Sequence, residues 1–137
     1  RFLRESHFIV ADIDIEKMKI VSADLEKEGI GFHSVLRWVS IMSSHLDCDL
    51  SATSGIVNGE DVIKQLLAGA DTVQVATVLY SKGLDQIKEM LKEVKVWMEK
   101  HNYESIAEFK GKMSYKNVTD PSAYLRIQFM KYFAGIE

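Results

Sequence analysis

The chain has 137 residues, 47% of them hydrophobic and 27% charged, with a formal charge of −3 and one cysteine. That balance describes a soluble globular domain and excludes disorder, a bilayer-spanning helix and an intrachain disulfide framework. Lysines are scattered among carboxylates with no basic stripe, so nucleic acid is not an expected partner. A chain that opens on Arg1, with no secretory segment ahead of its first elements, reads as a processed polypeptide or part of a longer one, with a cytoplasmic location expected.

From Arg1 to about residue 32 the periodicity is weak. Ile13-x-Ile15 and Met18-x-Ile20 alternate with polar residues as a short half-buried hairpin would, so this stretch reads as a loop or hairpin excursion. His33 or Ser34 is placed to cap a helix running to about Leu46, with Val35, Leu36, Val39 and Met42 at helical spacing and Trp38 and Ile41 widening the apolar face. Such a helix should be covered on more than one side. Strands are predicted over Cys48 to Thr53 and over Thr72 to Leu79, the second apolar on both parities, as in a parallel sheet sandwiched by helices.

Between them, Asn58 supplies an N-cap with Asp61 three residues on, Val62, Ile63, Leu66 and Leu67 form a buried stripe, and Gly69 stops the helix. Strand, helix and strand make one βαβ unit. After Gly83 a long helix to about Lys100 carries Ile87, Met90, Leu91, Val94, Trp97 and Met98 on one side. A capping box of Ser105 and Glu108 opens a shorter helix that Gly111 ends, with Tyr103 and Phe109 as core anchors. Asp120-Pro121 opens a last helix whose Tyr124, Leu125, Ile127, Phe129, Met130, Tyr132 and Phe133 leave little polar surface. That helix is expected to pack on its own domain or across a dimer. Two parallel strands alone would both be edges, so they call for neighbours from further sequence or from another copy of the chain.

Parallel α/β proteins place their chemistry at the carboxyl ends of the strands. There the Thr53-Ser54-Gly55 turn lets backbone approach an anion, beside a helix start whose dipole favours negative charge. Thr77, at the end of the second predicted strand, adds a hydroxyl and an amide. A Ser-Gly pair alone is equally the mark of a plain tight turn. His7, His33, His45 and His101 lack metal-site spacing and are expected at the surface or in caps. Asp12, Asp14 and Glu16 lack the glycine and closing glutamate of a calcium loop and read as a solvated hairpin edge. Cys48, at the entry of its strand, is expected to be a buried structural thiol, and Asp47 and Asp49 to solvate that entry.

The stretches SATSGIVNGEDVIKQLLAGADTVQVATVLYSKG and IKEMLKEVKVWMEKHNYESIAEFKGKMS resemble the C-terminal part of the class 1 dihydroorotate dehydrogenase family, and the flanks resemble its dihydroorotate dehydrogenase-like branch. The resemblance covers roughly residues 35 to 114. It implies the last two strands and helices of a TIM (β/α)8 barrel at about residues 33–114, a helical extension over 115–137, and FMN as cofactor. The implied reaction is oxidation of dihydroorotate to orotate by hydride transfer to the flavin.

In the family, Gly-Gly and Gly-Thr pairs hold the FMN phosphate. The matching positions here are Ser54-Gly55 and Ala76-Thr77, so both turns must accept a methyl or hydroxymethyl group. Ser22 falls near a family glycine that touches the flavin. The family's base, flavin-side lysine and substrate asparagines come from earlier strands, so no catalytic residue and no metal ligand is assigned. The isolated segment is expected to be inactive, and the parent to be a homodimer taking a small-molecule substrate. A barrel that keeps its flavin or phosphate with changed or lost activity, and a cofactor-free helical interaction module, stand as alternatives.

Overall fold

The structure, a computed structural model, describes residues 9–24 and 30–125. Ile9–Asp14 (β1) and Lys19–Asp24 (β2) form an antiparallel hairpin in which Ile13 faces Ile20. Its turn is closed by the Asp14 carboxylate, which accepts the amides of Glu16 and Lys17 at 3.0 and 2.9 Å. The hairpin belongs to the core. Ala11, Ile13 and Ile15 are buried, and the Trp97 indole donates to the Ile15 carbonyl at 3.3 Å.

Helix α1 spans Ile30–Met42, starting before the predicted His33 or Ser34 and ending short of Leu46. His33 is therefore not at the helix start; it lies one turn in and is buried. Ser43 to His45 follow as a turn, and the Ser43 hydroxyl donates to the carbonyls of Ser40 and Ala68 at 3.1 and 3.0 Å. Phe32, His33, Leu36, Val39 and Ser40 make one buried face. Trp38 is 51% exposed and Met42 is also exposed, so among the described residues this helix is covered on one side, not on several.

Ser51–Thr53 (β3), helix α2 over Gly59–Ala68 and Thr72–Gln74 (β4) form a βαβ unit with parallel strands, Ser51 opposite Thr72 and Thr53 opposite Gln74. Asn58 caps α2 by accepting the Asp61 amide at 2.8 Å, and Gly69 ends it at φ 118°, donating to the carbonyls of Gln65 and Leu66. Both strands are shorter than predicted. Cys48 lies ahead of β3 and is exposed, so it is not a buried thiol. β4 ends at Gln74, and Thr77–Lys82 is a short helix, α3, that tucks Val78 into the core. Nor are the strands covered on both faces: Ala52 points inward, while Ser51, Thr53, Thr72 and Gln74 form an exposed polar face. There the Ser51 hydroxyl accepts from Thr72 Oγ1 and Gln74 Nε2, each at 2.8 Å.

Helix α4 runs Asp85–Lys100, burying Met90, Val94 and Trp97 but leaving Ile87 and Leu91 exposed. The Ser105 and Glu108 capping box is present, though it opens only a 3-10 turn at Ile106–Glu108. From there the chain folds back over the ends of α2 and α1. Gly111 and Met113 donate their amides to the carbonyls of Leu66 and Leu67, and Tyr115 donates to Ser40, satisfying acceptors that a helix end leaves open.

A second 3-10 turn, Pro121–Tyr124, buries the Tyr124 ring completely. Its phenol donates to the Met113 carbonyl, while Arg37 donates to the Tyr124 carbonyl. The rest of the predicted last helix, with Ile127, Phe129, Met130, Tyr132 and Phe133, lies outside the described residues, as does His7.

Burial pushes the Tyr124 phenol up to about 12, a trend the Ser40 hydroxyl opposes and the Asp12 charge assists. A folded value above the unfolded one, which is about 10, favours the native state fully below pH 10. That contribution is lost as pH rises through about 12. Tyr124→Phe is therefore expected to flatten the alkaline loss of stability, read from urea midpoints measured between roughly pH 9 and 12. An unchanged alkaline slope would count against this role.

Candidate functional site

Two turns lie side by side at the carboxyl end of the parallel pair, because Thr53 and Gln74 are register partners and the chain leaves both strands at that end. After β3, Ser54 and Gly55 take positive φ values of 95° and 71°. A Cβ on Gly55 would stand 2.9 Å from the Phe32 amide nitrogen and 2.8 Å from its Cβ, so the turn sits directly on the first turn of α1. The Ser54 hydroxyl lies over Gly31, 3.4 Å from where a Cβ there would be. After β4, Ala76 is the N-cap of α3 and Thr77 its first residue.

The two nearby helix starts differ in what their amides already hold. At α2 the Gly59 amide donates to Glu93 Oε2 at 2.6 Å, the Val57 amide to Asp61 Oδ2 at 2.9 Å, and the Asp61 amide to Asn58. Side-chain oxygens of Glu93, Asp61 and Asn58 thus already hold these amides. No side chain caps α3. Its first amides, the Thr77 hydroxyl, the Ser54 hydroxyl and the Gly55 backbone are uncharged or positively polarised donors, a set suited to an anion. Ser54, Gly55, Ala76 and Thr77 are all exposed. Ser22, the remaining candidate, is exposed in mid-β2 opposite Ala11.

Sequence reasoning missed the buried charges behind this end. Asp12, expected at a solvated edge, is buried and accepts from Lys64 Nζ at 2.8 Å, with His33 Nε2 at 3.7 Å. Burial alone would raise the Asp12 carboxyl, but the neighbouring His33 and the Lys64 ammonium hold it below its ordinary value. Burial likewise pulls Lys64 down, and Asp12 and Glu60 outweigh it, keeping the ammonium above its usual range. The one sequence signal was Lys64 itself, a lysine adjoining the apolar stripe of α2. Elsewhere, His45 is exposed and His101 stacks on Trp97 at 4.4 Å. Among the described residues no cluster of metal-ligating side chains occurs, and no helix is long and apolar enough to cross a membrane.

A cleft of about 420 Å³ opens at the opposite end of the strands, beside Cys48, Asp71, Lys110 and Lys116. Lys110 pairs with Asp71 across it. Parallel α/β sheets bind ligands outside the carboxyl ends of their strands, which makes the two turns the candidate site.

No protein-family model matches the chain. It is 44% identical over 61 residues to a probable dihydroorotate dehydrogenase A (fumarate) from Enterococcus faecalis, a match covering 44% of the chain and 20% of the relative. A dihydroorotate dehydrogenase B (NAD(+)) catalytic subunit from Pyrococcus furiosus is 33% identical over 76 residues, 56% of the chain and 25% of the relative. Over these stretches the chain is similar to dihydroorotate dehydrogenases. It is also 33% identical over 84 residues to the chloroplastic dihydropyrimidine dehydrogenase (NADP(+)) of Arabidopsis thaliana, covering 60% of the chain and 20% of that protein. The matched stretches thus span a fifth to a quarter of the length of these dehydrogenases.

Proposed function

We propose that the protein containing this chain is an FMN-dependent oxidoreductase of CH-CH bonds that oxidises dihydroorotate to orotate in pyrimidine biosynthesis, and that this chain supplies the phosphate end of the cofactor site. The carrying observation is the pairing of the Ser54-Gly55 turn with the uncapped start of α3 at the carboxyl ends of adjacent parallel strands. Barrels commonly bind phosphate with the loops after their last two strands and the start of a short extra helix. The dehydrogenase names of the relatives support the same reading.

Ser54 and Thr77 offer hydroxyls to the phosphate, Gly55 offers backbone without a side chain, and the small Ala76 leaves room at the α3 amides. Ser22 is assigned to the flavin side. FMN, when bound, supplies the hydride acceptor. The open edges of β3 and β4 and their polar face are filled, in this reading, by the remaining strands of a TIM barrel. The parent is a cytoplasmic homodimer, and the isolated 137-residue chain has no turnover of its own.

The test is made on the intact parent protein. Flavin released on denaturation should be FMN by absorbance and mass, and dihydroorotate added anaerobically should bleach it. Colourless protein would overturn the reading in favour of a cofactor-free helical module. The dihydropyrimidine dehydrogenase relative supports a second reading, in which the same flavin barrel has changed its reaction. Bound FMN bleached by a dihydropyrimidine but not by dihydroorotate would select it.

A further inference from the structure

Three elements bring buried polar side chains together behind the Ser54-Gly55 turn, two of them joined by an ion pair. Asp12 on β1, His33 on α1 and Lys64 on α2 are 8%, 2% and 8% exposed. Lys64 Nζ donates to Asp12 Oδ2 at 2.8 Å across 52 residues of sequence, and Glu60 Oε1 approaches the same ammonium at 3.2 Å from the solvent side. A buried ion pair is a poor source of stability, since well-packed apolar residues of similar volume often do as well or better. Stability alone therefore gives no reason for this pair.

Its location gives one. The Lys64 ammonium lies 6.0 Å from the centroid of the Phe32 ring, within cation-π range. Phe32 also meets His33 edge-on, with ring centroids 5.3 Å apart. The backbone of the same Phe32 forms the wall against which Gly55 sits, leaving no room for a Cβ. Contacts thus run from the hairpin through Asp12 and Lys64 to Phe32, and end on the turn.

We infer that Asp12 and Lys64 are positioning residues for the phosphate turn: by seating Phe32 against Gly55 they hold the Ser54-Gly55 backbone in its left-handed shape. This rests on the reading of that turn as half of a phosphate site. Neither side chain is assigned a contact with the cofactor. Their effect passes through Phe32.

The experiment compares FMN with riboflavin, which lacks the phosphate, as ligands of the intact flavin-stripped parent protein. The variant is Asp12→Asn with Lys64→Met, which removes both charges and leaves neither buried alone. Its expected result is a near-wild-type Tm, unchanged riboflavin affinity, and FMN affinity lowered about tenfold, the weight of one hydrogen bond to a charged group. Asp12→Asn alone, which keeps an acceptor for Lys64, should shift the FMN-to-riboflavin ratio in the same direction by less, and serves if the double variant does not fold. Equal weakening of both flavins would mark the pair as merely structural and overturn the inference, as would an unchanged ratio. A wild-type protein with no preference for FMN over riboflavin would instead remove the phosphate reading itself, and the inference with it.

Discussion

Replacing Trp97 by alanine should destabilise the fold by about 3–5 kcal/mol, the range for deleting a large buried aromatic side chain. Trp97 is buried in α4 and meets Phe109 edge-on at 5.1 Å and Tyr103 at 5.6 Å, with His101 stacked on it. Its indole also donates to Ile15 beside the hairpin turn, so one side chain joins the first described element to the C-terminal cap. Trp97→Phe keeps most of the apolar area and loses that hydrogen bond, and should cost less, about 1–3 kcal/mol. Urea unfolding of both variants checks the order. Equal losses would mean that packing around the ring contributes little.

Gly55→Ala should have the other large effect, and on binding as well as on stability. A non-glycine residue at φ 71° costs about 1–2 kcal/mol, and the added methyl must displace Phe32 backbone, at about 1–3 kcal/mol more. A shift there moves the turn from which the phosphate is expected to be held, so FMN retention should fall together with Tm. Ser54→Gly is the control. Ser54 already stands at φ 95°, and glycine at that position should relieve about 1 kcal/mol. A Gly55→Ala protein with wild-type Tm and wild-type flavin content would contradict both the steric argument and the proposed site.

Elements with local punctuation could be read from the sequence. Asn58 and Gly69 bracket α2, Gly83 precedes α4, and Ser105 with Glu108 marks the next turn, because each signal acts within a few residues. The run TVQVATVL misled, since a short apolar stretch does not distinguish a buried strand from a strand followed by a helix. The structure resolves it through Val78, whose burial requires the chain to turn back after Gln74. At the candidate site, the tight turn at Ser54-Gly55 was legible in the sequence. The filling of the α2 start by Glu93, 34 residues away, was not, nor was the pairing of Asp12 with Lys64. Both are contacts between elements, and no local pattern encodes them. Cys48 was misplaced for a related reason: its strand begins only at Ser51, and the residues before it stay at the surface.

The backfolding of residues 111–124 over α1 and α2 has a consequence for how the chain is made. Leu66, Leu67 and Ser40 receive their partners from Gly111, Met113 and Tyr115, and Tyr124 closes the same end. During synthesis both helices emerge well before those partners do. Until the stretch through Tyr124 has cleared the ribosome, the Leu67 carbonyl lacks its Met113 partner and the apolar surface beneath that stretch stays open, so a nascent chain halted near Lys110 should be one that chaperones recognise.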